Sequence, residues 1–186
     1  MKKRIGYAGL LALLFLLLCV TGGCKGQEAQ EAAAQITELV SSPGNLQFTF
    51  PEGWTVKSNS EEGQKEGASA VHYEFVAEDS LTGSGIAVIY EDLHRIQGGN
   101  LIRMEDYLTA FQENLKLSGD YRYSCGEVSL TELYGETYYT FSARVEEPQL
   151  TQQFYLRRIE DTVMMMTFTV AGEDSLENLL EYGRSL

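Results

Sequence analysis

Residues 121–170 read YRYSCGEVSLTELYGETYYTFSARVEEPQLTQQFYLRRIEDTVMMMTFTV. Four runs in this stretch, Tyr121 to Leu130, Glu136 to Val145, Gln152 to Ile159 and Val163 to Val170, are rich in the aromatic and β-branched residues that suit a pleated surface. Tyr134-Gly135, Glu146-Glu147-Pro148 and Glu160-Asp161 separate them. A parallel return needs a crossover of a dozen residues, so separators this short make the runs antiparallel neighbours. Tyr139, Phe141, Ala143 and Val145 share one side of their strand and Tyr138 lies on the other, so both sides carry apolar residues and both need cover. Met164, Met166, Phe168 and Val170 fall on one side of the last run, where they read as core in preference to an adaptable contact surface.

Outward from this meander, Glu173 to Leu186 reads as a closing helix, with Leu176, Leu179, Leu180 and Tyr182 on its apolar side. On the upstream side, Leu101, Met104, Leu108, Phe111 and Leu115 recur every three or four residues, the spacing of one helix face, and Gly119 follows. Val71 to Ala77 and Ile86 to Tyr90 are two further strands. Matching their apolar sides sets Tyr73 opposite Tyr90, Phe75 opposite Val88 and Ala77 opposite Ile86, because a slip of one residue turns a whole face over. That register puts His72 beside Glu91. Leu46 to Phe50 alternates, turns at Pro51-Glu52-Gly53 and resumes at Trp54-Thr55-Val56, a hairpin with the only tryptophan at one end of the core. Ser58 to Ala68, rich in Gly, Glu and Lys, reads as a loop. Strands that need cover on both sides, together with two helices, predict an α+β domain, an antiparallel sheet with helices on one or both faces.

The segment Phe48-Thr49-Phe50-Pro51-Glu52-Gly53-Trp54, the order of elements after it and the closing Ser185-Leu186 resemble the PsbP-like family. That family includes a photosystem II extrinsic subunit, a Ran-binding protein and bacterial lipoproteins. The resemblance covers residues 45–186 and implies an α/β/α sandwich around a central antiparallel sheet and a non-enzymatic binding or assembly role. It carries over no partner-binding or metal residue.

The chain opens with Lys2, Lys3 and Arg4, continues through an apolar run from Ile5 to Val20, and reaches Thr21-Gly22-Gly23-Cys24. A basic start, a short apolar stretch and a small-residue exit describe a secretory signal, and the run is shorter than the ~20 residues that span a bilayer. Val20 to Cys24 resembles a bacterial lipobox. This implies diacylglycerol on the Cys24 thiol, cleavage before Cys24 and an acyl group on the new amine; an uncleaved anchor and plain secretion are the alternatives. Residues 1–23 are thus a lipoprotein signal peptide, 24–44 a lipidated and partly helical tether, and 45–186 the domain. The helical part is Glu28 to Val40, rich in Ala, Glu and Gln, as a spacer or as a helix packed on the domain.

Loss of Lys2, Lys3 and Arg4 with the leader takes the net charge from −13 to −16. Such a surface repels phosphate backbones and anionic lipid, so no nucleic acid is expected as a partner and the membrane is held through Cys24. The expected location is the outer face of the cytoplasmic membrane, beside an envelope protein partner. Once Cys19 leaves and Cys24 is acylated, only Cys125 remains, with no disulfide and no CxxC motif. In its strand-like setting it reads as a small hydrophobe.

Constellations for chemistry are sparse. His72 with Glu74 and Asp92 with His94 have metal-like spacing, but the register sets the two pairs on opposite faces, so no metal or other cofactor is expected. Ser124-Cys125 has no neighbouring histidine, and no G-x-S-x-G segment exists. Thr82-Gly83-Ser84-Gly85 lacks the ending of a phosphate loop and leads into a strand. No catalytic residue is assigned. Tyr121, Tyr123, Tyr138 and Tyr155 form a candidate contact patch, since tyrosine offers area with a polar tip. The expected function is that of a lipid-anchored extracytoplasmic binding or assembly module, not an enzyme. A small-ligand or cation carrier and, less favoured, an envelope hydrolase are the alternatives.

Overall fold

The computed structural model describes residues 37–58, 70–117, 122–147 and 149–186. In chain order the strands are β1 (Thr37–Ser41), β2 (Leu46–Phe50), β3 (Trp54–Ser58), β4 (Val71–Asp79), β5 (Gly85–Asp92), β6 (Tyr123–Cys125), β7 (Ser129–Leu133), β8 (Glu136–Val145), β9 (Leu150–Ile159), β10 (Thr162–Val170) and β11 (Gly183–Ser185). Helix α1 (Met104–Leu117) lies between β5 and β6, and helix α2 (Leu176–Leu180) between β10 and β11.

The large sheet has the order β3-β4-β5-β10-β9-β8-β6, with β7 also on β8, and every pairing in it is antiparallel. The chain leaves β5 through α1, reaches the far edge at β6 and β7, and returns strand by strand until β10 closes against β5. Two of these returns use two residues. Leu133 pairs with Glu136 across Tyr134-Gly135, and Ile159 pairs with Thr162 across Glu160-Asp161. Tyr134 and Gly135 both take positive φ, 52° and 80°, the geometry whose twist matches a two-residue hairpin.

Helix α1 covers one face of this sheet. Its Tyr107, Leu108, Phe111 and Leu115 pack on Ile89, Phe141, Phe154 and Met165. The second face is covered by a three-stranded sheet, β1-β2-β11, together with α2. There Phe48, Phe50, Phe75, Val88, Met166, Phe168 and Leu179 make a second core. The fold is therefore α+β around a central antiparallel sheet, as expected, with a small sheet forming most of one outer layer. Met164, Met166 and Phe168 are fully buried in the second core, and Met165, pointing the other way, enters the first.

Several expectations change. Thr37 to Ser41 is strand where a helix was expected as far as Val40, because it pairs along β2 and buries Ser41; residues 28–36 lie outside the described residues, as do 59–68 of the expected loop. β2 and β3 are not a hairpin. Both edges of β2 are taken, by β1 and β11, so Pro51-Glu52-Gly53 hands the chain to the edge of the large sheet. Trp54 nonetheless stacks on Phe50, with ring centroids 5.2 Å apart. The closing helix is short: Ser175 caps it by accepting from the Asn178 N–H, and it gives way to β11 at Gly183. A Cβ on Gly183 would sit 2.5 Å from the Tyr134 hydroxyl oxygen, so the chain there passes closer than any side chain allows. The first run of the meander is split into β6 and β7. Cys125 pairs with Ala143 and Ser129 with Thr140, four residues against three, which is a bulge of one.

Candidate functional site: tyrosines and an arginine between two sheets

The expected β4–β5 register holds from Phe75 onward and fails before it. Phe75 faces Val88 and Ala77 faces Ile86, as expected, but a bulge between Tyr73 and Phe75 moves Tyr73 opposite Ile89 and His72 opposite Tyr90. Glu91 therefore faces Val71 and not His72. It is 3% exposed and accepts a hydrogen bond of 2.5 Å from the Tyr107 hydroxyl of α1, while its other carboxyl oxygen has no hydrogen-bond partner among the described residues. Burial raises the Glu91 carboxyl above its ordinary value, and the Tyr107 hydrogen bond only partly opposes this. His72 lies 3.6 Å from Glu74, and His94 lies 3.0 Å from Asp161. Among the described residues no three His, Cys, Asp or Glu side chains gather as a metal site would need.

On the small-sheet face, a rank of side chains runs across the large sheet. His72 on β4 pairs with Tyr90 on β5, Tyr90 with Met164 on β10, and Met164 with Arg157 on β9. The Arg157 guanidinium carbon then stands 5.5 Å from the centroid of the Tyr138 ring on β8. Tyr155, two residues before Arg157, meets Tyr138 edge to face at 6.3 Å. Arg157 and Arg158 are neighbours on one strand and so point to opposite faces. Arg158 goes to the α1 side, where it donates to the carbonyl oxygens of Ile102 and Asn100. Arg157 goes inward and is met by Glu136 at 2.7 Å.

The hydroxyls of this cluster differ in their partners. The Tyr90 hydroxyl bonds the Ser41 hydroxyl, and the Tyr134 hydroxyl donates to the Leu180 carbonyl at 2.6 Å. The Tyr138 hydroxyl and Arg157 Nε are buried with no hydrogen-bond partner among the described residues. Burial raises the phenols of Tyr90, Tyr134, Tyr138 and Tyr155 above their ordinary value; for Tyr138 the Arg157 charge pulls the other way and Glu136 and Tyr90 add to the rise. Neutral phenols beside one guanidinium are hydrogen-bond donors around a fixed positive charge. Such a set suits a hydrogen-bond acceptor.

This placement corrects the expected contact patch. Tyr123, Tyr138 and Tyr155 are all buried. Tyr123 joins the core under α1, whereas Tyr138 and Tyr155 join the core under the small sheet, so they do not share a face. The physical reason is that both faces of the large sheet are roofed, and a strand tyrosine on either face is taken inside. Tyr121 and Cys24 lie outside the described residues. Cys125 is half-buried on β6, and burial pushes its thiol up, away from the thiolate a nucleophile needs. Four strands, β5, β10, β9 and β8, stand between it and His72 on β4. Arg157 and Glu136 escaped the sequence reading, which had Glu91 only as a neighbour of His72. The adjacent arginines in an otherwise apolar run were the available signal, since one of them had to face inward.

No family model matches the sequence, and no curated protein matches it. Among solved structures, the chain is similar to cyanobacterial PsbP (CyanoP) from Synechocystis, at 15% identity over 88% of this chain and 100% of that one, with a TM-score of 0.54. A Bacteroides thetaiotaomicron protein follows at 11% identity, covering 82% of this chain and 49% of that one, TM-score 0.46. The Saccharomyces cerevisiae Ran-binding protein Mog1p is 12% identical over 75% of this chain and 79% of that one, TM-score 0.42. The likeness to the cyanobacterial protein gives this domain a PsbP-like fold. It speaks to fold alone.

Proposed function

We propose that the chain is a lipid-anchored extracytoplasmic lipoprotein that serves as a non-enzymatic binding or assembly module at the cell envelope. The observation that carries this reading is the opening of the chain: a basic start, an apolar run too short to span, and small residues ending at Cys24. Two or more acyl chains at one cysteine anchor a protein stably where a single chain does not. The domain behind the anchor is strongly acidic, which keeps it off anionic lipid and leaves its surface to a protein partner. The half-buried Cys125, separated from His72 by the width of the sheet, supports a binding role over a hydrolytic one. The PsbP-like fold supports it as an analogy.

The test is Cys24→Ala in the native host with labelled fatty acid. The expected outcome is loss of the label and movement of the protein out of the membrane fraction. Label retained on that variant overturns the anchor. Cross-linking in intact membranes is expected to join the wild-type protein to a reproducible envelope partner, and a failure to do so counts against assembly while leaving the anchor standing.

A further inference from the structure

The cluster between the sheets keeps two polar groups where apolar ones would fit. Tyr138 is 0% exposed and its hydroxyl has no partner among the described residues. Phenylalanine would fill the same ring volume, and a buried polar group left unpaired costs about 1–3 kcal/mol. Arg157 Nε, on the guanidinium beside that ring, is unpaired as well. Two buried donors without partners among the described residues, on side chains in contact, point to an acceptor that is not part of the fold.

The acceptor now on Arg157 is the carboxylate of Glu136, at 2.7 Å. The two partners differ in exposure: the Arg157 side chain is 15% exposed and that of Glu136 is 53% exposed, standing at the start of β8 just after the two-residue turn. The exposed carboxylate returns to water at little cost, whereas the mostly buried Arg157 keeps its need for a counter-charge. Two other hydroxyls nearby are committed, that of Tyr90 to Ser41 and that of Tyr134 to Leu180. Tyr138 is packed between Tyr155 and Arg157.

We propose that this cluster is a binding site for a small monocarboxylate, whose carboxyl group replaces that of Glu136 on Arg157 and accepts a hydrogen bond from the Tyr138 hydroxyl. A guanidinium fork matches a planar carboxylate with two parallel hydrogen bonds. Arg157 is the guanidinium that meets Tyr138 and Glu136, inside a chain of net charge −13, so a singly charged carboxylate matches it better than a doubly charged phosphate. The site stands apart from the anchor: binding is retained in Cys24→Ala, so its failure and the failure of the envelope reading are separable.

The test uses the full chain in detergent, with butyrate as the probe and the Arg157 Nε–H resonance as the readout. Butyrate is expected to shift that resonance saturably. Glu136→Gln removes the internal competitor and tightens binding about threefold or more. Tyr138→Phe weakens binding about tenfold while its melting temperature stays level or rises, because it loses only an unpaired hydroxyl. Inorganic phosphate at matched ionic strength gives the weaker response. An unsaturable shift in both the wild type and Glu136→Gln, or equal binding by Tyr138→Phe, overturns the site and leaves the orphan donors to ordered water. Phosphate binding tighter than butyrate overturns the carboxylate assignment.

Discussion

Glu91 illustrates how one irregular residue redirects chemistry. Perfect alternation along β4 would set it beside His72 as an ordinary surface pair. The bulge after Tyr73 sets Val71 opposite it instead, and α1 closes over it with Tyr107. Nothing in the period-2 pattern of the strand announces a bulge, so this carboxylate was not legible in the sequence. Its raised pKa gives a signed prediction. Below the ordinary carboxylate value near 4.5, Glu91 is protonated in both the folded and the unfolded chain and costs nothing. As pH rises, the unfolded chain ionises first, so stability falls until the folded-state value is passed and then levels, by about 1.4 kcal/mol for each unit of displacement. Glu91→Gln keeps an acceptor for Tyr107 and removes the ionisation. Urea midpoints between pH 4 and pH 8 should therefore fall less with pH in the variant, leaving it the more stable form at neutral pH. Parallel curves for the two proteins would show that Glu91 ionises freely in the folded state.

At the scale of elements, the meander was legible because its turns are short and its strands rich in aromatic and β-branched residues. Strand β8 runs over the expected Glu136 to Val145, and β10 begins one residue before Val163. The elements that sequence missed are those decided by distant partners. Thr37 to Ser41 follows a helix-forming composition, yet an open β2 edge offers it five paired residues. Gly183 to Ser185 leaves the C-terminal helix for the other edge of β2, where the Arg184 side chain also donates to Gln47 Oε1 at 2.8 Å and 3.1 Å. Helix propensity amounts to a few tenths of a kcal/mol per residue, and an unpaired strand edge outweighs it. The turn between β7 and β8 is the local feature with the most specific demand. Gly135 holds φ at 80°, with open space where a Cβ would stand, so Gly135→Ala meets no clash and carries only the backbone penalty. That penalty is about 1–2 kcal/mol for a left-handed residue. Chemical denaturation of Gly135→Ala should show a loss of that size with an unchanged slope; no change would mean that the turn relaxes to another type.

The whole molecule is two cores on one sheet, and strand β10 belongs to both. Met164, Met166 and Phe168 enter the core roofed by the small sheet, while Val163 and Met165 enter the core roofed by α1. Because successive side chains of one strand supply opposite cores, neither core can come apart without displacing the backbone that the other needs. The domain should therefore unfold in one step. Two probes report the two sides separately. Trp54, the only tryptophan, stacks on Phe50 and reports the small-sheet side by fluorescence. Far-ultraviolet circular dichroism reports α1, whose 14 residues dominate the helix signal of the described chain. Phe111 on α1 is 1% exposed and Phe50 on β2 is 0% exposed, so truncation of either to alanine should cost about 3–5 kcal/mol. With a shared β10, Phe111→Ala must lower the midpoint of Trp54 fluorescence as far as that of the circular dichroism, and Phe50→Ala must do the same in reverse. Separation of the two midpoints in either variant would show that α1 and the small sheet melt independently, and that the β10 strand does not couple them.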